Sequence, residues 1–189
     1  DRPTSFAVHC SGGKWRRAKH LSLISDTILD TIDDPSLPRI IVVQCPPRHG
    51  KSEFISRWFL AWYRATFPDN NVILTAYEQN FAKRWGRKVR DILEEHGHLF
   101  GITVRRDNRS ISEWSIDGHE DGSMQCAGAG GALVGKGAHL LVIDDPIKNA
   151  EEGTSALQLE NLWDWWQSTA SRSEEHTSEL QSRETISYA

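Results

Sequence analysis

The 189-residue chain has no run of 18 apolar residues, so nothing in it reads as a membrane span. Its first residues lack the apolar stretch of a secretory signal, and an opening on Asp1 rather than Met reads as a piece of a longer chain. Cysteine is scarce. Cys10, Cys45 and Cys126 are odd in number and far apart, which argues against a disulfide framework or a zinc site and fits a reducing cytosol. Neither sign of charge dominates. Lys and Arg total 22 against 26 Asp and Glu, a net charge of -4, so no strong basic field advertises nucleic acid and only a local patch remains open. There is no internal repeat. With 38% hydrophobic and 25% charged residues, collagen-like, coiled-coil and wholly disordered classes are excluded. Tryptophan is plentiful by contrast, with eight residues, expected mainly in core and interface packing.

The pattern along the chain predicts alternating strands and helices. Residues 1–14 read as polar and irregular. A helix is predicted over Lys14–Asp30, with Leu21, Ile24, Ile28 and Leu29 at helical spacing behind the basic cluster Lys14, Arg16, Arg17 and Lys19. The β-branched run Ile40–Val43 reads as a buried parallel strand, followed by a loop to Ser52 and an aromatic-rich helix over Glu53–Phe67. Val72–Tyr77 is a second strand, Gln79–His96 a basic helix, and three short strands are expected within 102–127. After a glycine-rich run, Gly128–Gly137, Leu140–Ile143 forms another apolar strand, and Glu151–Ser168 a last helix. This order is that of a parallel α/β sheet flanked by helices.

The loop after the first predicted strand carries chemistry. Gln44-Cys45-Pro46-Pro47-Arg48-His49-Gly50-Lys51-Ser52 joins a strand to a helix and ends in Gly-Lys-Ser. Backbone N–H groups at a helix start point at a phosphate, and the helix dipole favours its charge. Gly50 lets the backbone approach, Lys51 reaches the β- and γ-phosphates, and Ser52 offers its hydroxyl to Mg²⁺. The usual pattern has a further glycine where this chain has Cys45. An ordinary helix start with a surface lysine is the alternative.

The matching half of such a site is an apolar strand ending in acid, and Leu140–Ile143 followed by Asp144-Asp145-Pro146 supplies it. The first acid is expected to hold Mg²⁺ with Ser52, and the second to orient and deprotonate the attacking water. Adjacent carboxylates point to opposite sides if the strand continues, so two roles fit better than one. Taken alone, Asp-Asp-Pro also fits a simple turn.

Pro46–Glu53 resembles the Walker A segment of tailed-phage terminase large subunits, and Leu141–Asn149 resembles their Walker B segment. Lys19-His20-Leu21, Tyr77 with the helix carrying Arg87 and Arg90, Glu113-Trp114 and the run Gly128–Gly137 are similar to the family's intervening segments. The resemblance implies a P-loop NTPase fold, with room for an added strand relative to the RecA-like core. It implies an ATP hydrolase that uses ATP and Mg²⁺ to drive double-stranded DNA into a procapsid. The implied partners are a terminase small subunit, a portal protein and further copies in a ring. The implied place is the host cytoplasm, with no membrane.

On that resemblance the nucleotide is expected against Pro47, Arg48, His49, Gly50, Lys51, Ser52 and Glu53, and the metal on Ser52 and Asp144. Asp145, Lys51, Arg48 and Lys136 are expected to serve the chemistry. Arg48 would touch the γ-phosphate. Lys136 stands where relatives often have Arg and would act on a neighbour's ATP. Trp15 or His20 would flank the adenine, and the basic helix would touch DNA. The expected domain is an incomplete ATPase domain over 1–171, without the family's C-terminal nuclease. Residues 172–189 resemble a translated sequencing adapter and are expected to be non-native. The competing readings are a helicase-like or kinase-like P-loop protein, and a packaging assembly module with a vestigial nucleotide site.

Overall fold

The computed structural model describes residues 2–34, 36–37, 40–131, 137–148, 155–165 and 167. The expected adapter tail therefore lies outside the described residues. So do Lys136 and part of the glycine-rich run.

One five-stranded sheet organises the chain, in the order β2-β3-β4-β1-β5. β1 (Val72–Ala76) lies between β4 (His119–Gly128) and β5 (Leu140–Asp144) and is parallel to both. β2 (Val104–Arg109) and β3 (Glu113–Ile116) extend the sheet antiparallel beyond β4. The expected parallel sheet is thus a mixed one. Its antiparallel flank is built by short local turns, which parallel pairing cannot use.

β1 and β5 are buried on both faces and read as continuous apolar runs. Val72, Leu74, Ala76, Leu140 and Val142 face the main core, and Ile73, Leu141 and Ile143 face a smaller cluster on the other side. Helix α6 (Ala156–Trp165) covers that second face. Trp165 is buried there, and its indole N–H donates to the carbonyl of Gly131 at 2.8 Å. The prediction of a helix from Glu151 agrees over its middle; residues 151–154 and 168 are outside the described set.

The main face is covered by helices. α1 (Pro3–Cys10), the helix that begins at Lys51 and α5 (Gln79–His96) all contribute to one core. α1 corrects the irregular reading of residues 1–14. Eight residues are too few for a clear periodic signal, yet Pro3 suits a first helical turn and Phe6, Ala7 and Cys10 are buried. Phe6 packs on Phe100 with ring centroids 5.1 Å apart. α2 (Lys19–Asp33) buries Leu21, Ser25, Ile28 and Thr31, and the cations Lys14, Arg16 and Arg17 precede it rather than belong to it.

The helix from Lys51 has three parts: α3 (Lys51–Glu53), a π-helical stretch Phe54–Phe59, and α4 (Leu60–Thr66). Phe54, Trp58, Phe59, Leu60 and Tyr63 bury its aromatic side. Arg64 is fully buried and donates to the carbonyls of Phe67 and Asn70, which closes the helix end onto the following turn.

The expected strand Ile40–Val43 is not a strand in the structure. Val43 is buried, but Ile40 and Val42 are 51% and 55% exposed, and β5 takes its partner from β1 instead. β-branched residues suit any half-buried extended segment, so propensity alone does not decide pairing.

Candidate functional site

The site forms where β5 ends against the start of the long helix, at the carboxyl edge of the parallel strands, the usual place for a ligand in such sheets. The approach loop is 44–50. Arg48 has φ 65° and Gly50 φ 80°, both left-handed. Backbone that changes hand in this way turns successive N–H groups toward one concave side, the geometry of an anion nest. Gly50 adopts its conformation freely, whereas Arg48 holds it against steric cost.

Two histidines shape the loop. His20, from α2, donates from Nε2 to the carbonyl of His49 at 2.8 Å. His49 donates from Nδ1 to the carbonyls of Pro46 and Pro47 at 3.2 and 3.0 Å. Both tautomers follow from their carbonyl partners. In a trans peptide the C=O and the next N–H point oppositely. Anchoring the His49 carbonyl on His20 therefore turns the Gly50 N–H the other way. His20 was expected near the adenine; its observed contact is with the loop itself.

Lys51, Ser52, Asp144 and Asp145 converge. Lys51 Nζ lies 3.0 Å from Asp145 and 3.8 Å from Asp144, and its side chain is only 13% exposed. Ser52 Oγ donates to Asp144 Oδ1 at 2.8 Å. Ser56 Oγ donates to Asp144 Oδ2, also at 2.8 Å. Asp144 thus has both oxygens occupied by hydroxyls. Its carboxyl pKa is raised, chiefly by burial and further by Asp145, while the Ser56 and Ser52 hydrogen bonds and the Lys51 charge oppose the rise.

The strand stops at Asp144 and Asp145 leaves it. Asp145 has φ 46°, and its carbonyl accepts the N–H of Tyr77 at 3.0 Å. The two carboxylates do diverge, but by this left-handed turn rather than by strand alternation. Asp144 is buried and Asp145 is half-exposed.

A cavity of about 460 Å³ lies over the loop. It is lined by Pro47, Arg48, His49, Gly50, Lys51, Ser52, Glu53 and Asp145, which brings together the residues expected to bind nucleotide. Glu53 is tied back to Arg57 of its own helix and to Lys88 of α5. Ser56 was missed from the sequence because it falls inside an aromatic helix where a serine looks incidental. Its spacing of four from Ser52, on one helical face, was the available signal.

The mixed, helix-flanked sheet, with a phosphate-type loop opening a helix, Asp144 closing β5 and Asp145 just beyond it, has a P-loop NTPase fold. The family described as terminase large subunit, T4likevirus-type, N-terminal, matches residues 43–181, and the chain belongs to it. Among solved structures, the large terminase of bacteriophage HK97 superposes with a TM-score of 0.65 at 13% identity, over 98% of this chain and 36% of that one. The large terminase ATPase domain of Thermus phage P74-26 gives 0.65 at 14% identity, over 99% of this chain and 69% of that one. A mutant of the same domain gives 0.63 at 13% identity, over 99% and 70%. The chain thus spans about a third of the HK97 protein. No curated protein sequence matches significantly.

Proposed function

We propose that the chain is an ATP-hydrolysing motor domain that drives double-stranded phage DNA into a procapsid. The observation that carries this reading is the convergence of Lys51, Ser52, Asp144 and Asp145 from two distant segments onto one point.

The residues suit Mg²⁺. Ser52 and Asp144 offer hard oxygens side by side, and among the described residues no group of three or more His, Cys, Asp or Glu is placed to cage a metal. Mg²⁺ commonly takes one or two protein oxygens and completes its shell with phosphate and water. Ser52 and Asp144 would hold it, and its chemistry would be to offset charge on the β- and γ-phosphate oxygens.

In the structure Lys51 pairs with Asp145. A triphosphate on the loop competes for the same ammonium. As Lys51 turns to the phosphate, Asp145 is released to accept the proton of an attacking water. Asp144 stays buried between its two serines. Arg48, exposed on the cavity wall, meets the γ-phosphate. Lys136 serves a neighbouring subunit's ATP in a ring, with less reach than the fork of an arginine. Arg84, Arg87 and Lys88 on the exposed side of α5 meet DNA phosphate. Among the described residues no helix is long and apolar enough to cross a membrane. The small subunit and portal partners, and the cytoplasmic setting, come with the family.

The test is Mg-ATP turnover by the chain with DNA present, at concentrations that assemble oligomers. Turnover is expected in the parent. Lys51→Ala should lose triphosphate binding, and Asp145→Asn should bind without turning over. Nucleotide binding with no turnover in the parent would overturn the motor. It would favour an assembly module with a vestigial site, the reading that Cys45 in place of a loop glycine supports.

A further inference from the structure

Away from the phosphate loop, a buried cation stands without a counter-charge. Trp114 on β3 pairs with Met124 of β4, which pairs with Val72 at the start of β1, so this corner lies toward the amino edge of the parallel strands. Arg64, near the end of the long helix, brings its guanidinium carbon to 6.0 Å from the centre of the Trp114 ring. Both residues are 0% exposed. Arg64 donates from Nη1 to the neutral carbonyls of Phe67 and Asn70. Its Nε and Nη2, and the indole Nε1 of Trp114, have no hydrogen-bond partner among the described residues.

Three donors share one corner and no acceptor meets them. A buried donor without a partner and a buried charge without a counter-charge are both strongly unfavourable, and folded proteins almost always satisfy them. Arg64 keeps its charge. Burial lowers its pKa to about 10, with Tyr63 and Asp69 opposing the fall, so it is cationic at neutral pH. Asp69 does not neutralise it, because its carboxylate is 68% exposed and lies 2.8 Å from His119 Nδ1. A carboxylate facing water is a weak counter-charge for a buried cation.

We propose that one monovalent anion of halide size binds between the Arg64 guanidinium and the Trp114 indole. Hydrogen bonds of about 3 Å from each side bridge a separation of this order. Such an ion accepts from all three donors and cancels the charge. A water would accept as well, but it would leave the cation uncompensated and bring two hydrogens of its own to place. A divalent anion would exchange one buried net charge for another. The ion would tie the far end of the long helix to β3, independently of anything bound at Lys51.

The test uses the whole 189-residue chain, melted in sodium salts at fixed ionic strength with gluconate exchanged for bromide or chloride. The parent's midpoint should rise by about 3–5 °C for each tenfold of bromide above its Kd, since only the folded state brings the three donors together. Trp114→Phe keeps a ring and drops one donor, and should lose most of this response. Arg64→Met should lose all of it. Crystals grown in bromide should show an anomalous peak within hydrogen-bond reach of Arg64 and Trp114. An equal response in the parent and Trp114→Phe, or none in the parent, would overturn the site. So would water at that position with no anomalous signal, or a peak with no effect on the melt, which would mean an adventitious ion only. If Arg64→Met does not fold, Trp114→Phe and the bromide peak still decide.

Discussion

Ser56 Oγ stands 2.8 Å from Asp144 Oδ2, on the opposite oxygen from the one that Ser52 holds. Both partners are buried, at 0% and 4% exposure. The serine therefore fixes the rotation of the carboxylate as well as its place.

Ser56→Ala should leave one buried carboxylate oxygen without its donor, at about 1–3 kcal/mol. Thermal melts would show that loss. Titration of Mg²⁺ against a fixed nucleotide should show half-saturation rising several-fold, with Ser56→Thr restoring most of it. An unchanged Mg²⁺ requirement would mean that Ser52 alone orients the acid.

His20→Ala removes the donor that holds the His49 carbonyl. Tripolyphosphate affinity is expected to fall about fivefold or more, because hydrogen bonds of this kind are worth about 0.5–1.5 kcal/mol and the loop then reorients. His20→Gln places an amide donor at similar reach and should recover part of the loss. Full recovery by His20→Phe would point to packing instead.

Gly86 lies on α5 where it crosses β4. A Cβ there would meet Cys126 Sγ at 2.3 Å. Gly86→Ala should cost about 1–3 kcal/mol through overpacking, even after the better helix propensity of alanine. Adding Cys126→Ala opens the space, so the double variant should melt above Gly86→Ala alone. Additive losses in a double-mutant cycle would refute the contact.

His139 gives the fold a pH dependence. Its Nδ1 accepts the N–H of Asn71 at 2.9 Å, and burial holds its pKa below the usual 6.5. Just below 6.5 the unfolded chain binds a proton that the folded protein does not, so stability rises with pH there. This contribution is complete above 6.5 and is lost as pH falls through the folded value. Urea melts at about pH 7 and about pH 5 should differ less for His139→Ala than for the parent. Equal slopes would assign the dependence to other groups.

Much of this arrangement was legible in the residues. The limits of α5 match the predicted helix, and β1 and β5 match their apolar runs to within a residue. These are long or strongly patterned segments, where local preference and burial agree. The convergence of Lys51 with Asp144 and Asp145 was legible too, because Gly-Lys-Ser and Asp-Asp-Pro each sit at a boundary between elements. What was not legible depends on distant partners. Ile40–Val43 has strand-like residues but no strand pairing, and α1 is recognisable only from the core that Phe6 joins. His20 acts through a carbonyl 29 residues on, and no local pattern marks such a bond.

The π-helical stretch Phe54–Phe59 separates the reactive end of the long helix from its buried end. Lys51 and Ser52 are set on one side of it, Leu60 and Tyr63 on the other. A π-helical turn holds one residue more than an α-helical one, so the stretch sets the rotation between the two ends, and a residue gained or lost in the α-helical turns beside it would turn one end against the other by about 100°. Either the ammonium would leave the two acids or the aromatic face would leave the core. Along this segment, then, selection acts on the number of residues as well as their kind, and substitutions should accumulate here far more readily than insertions or deletions.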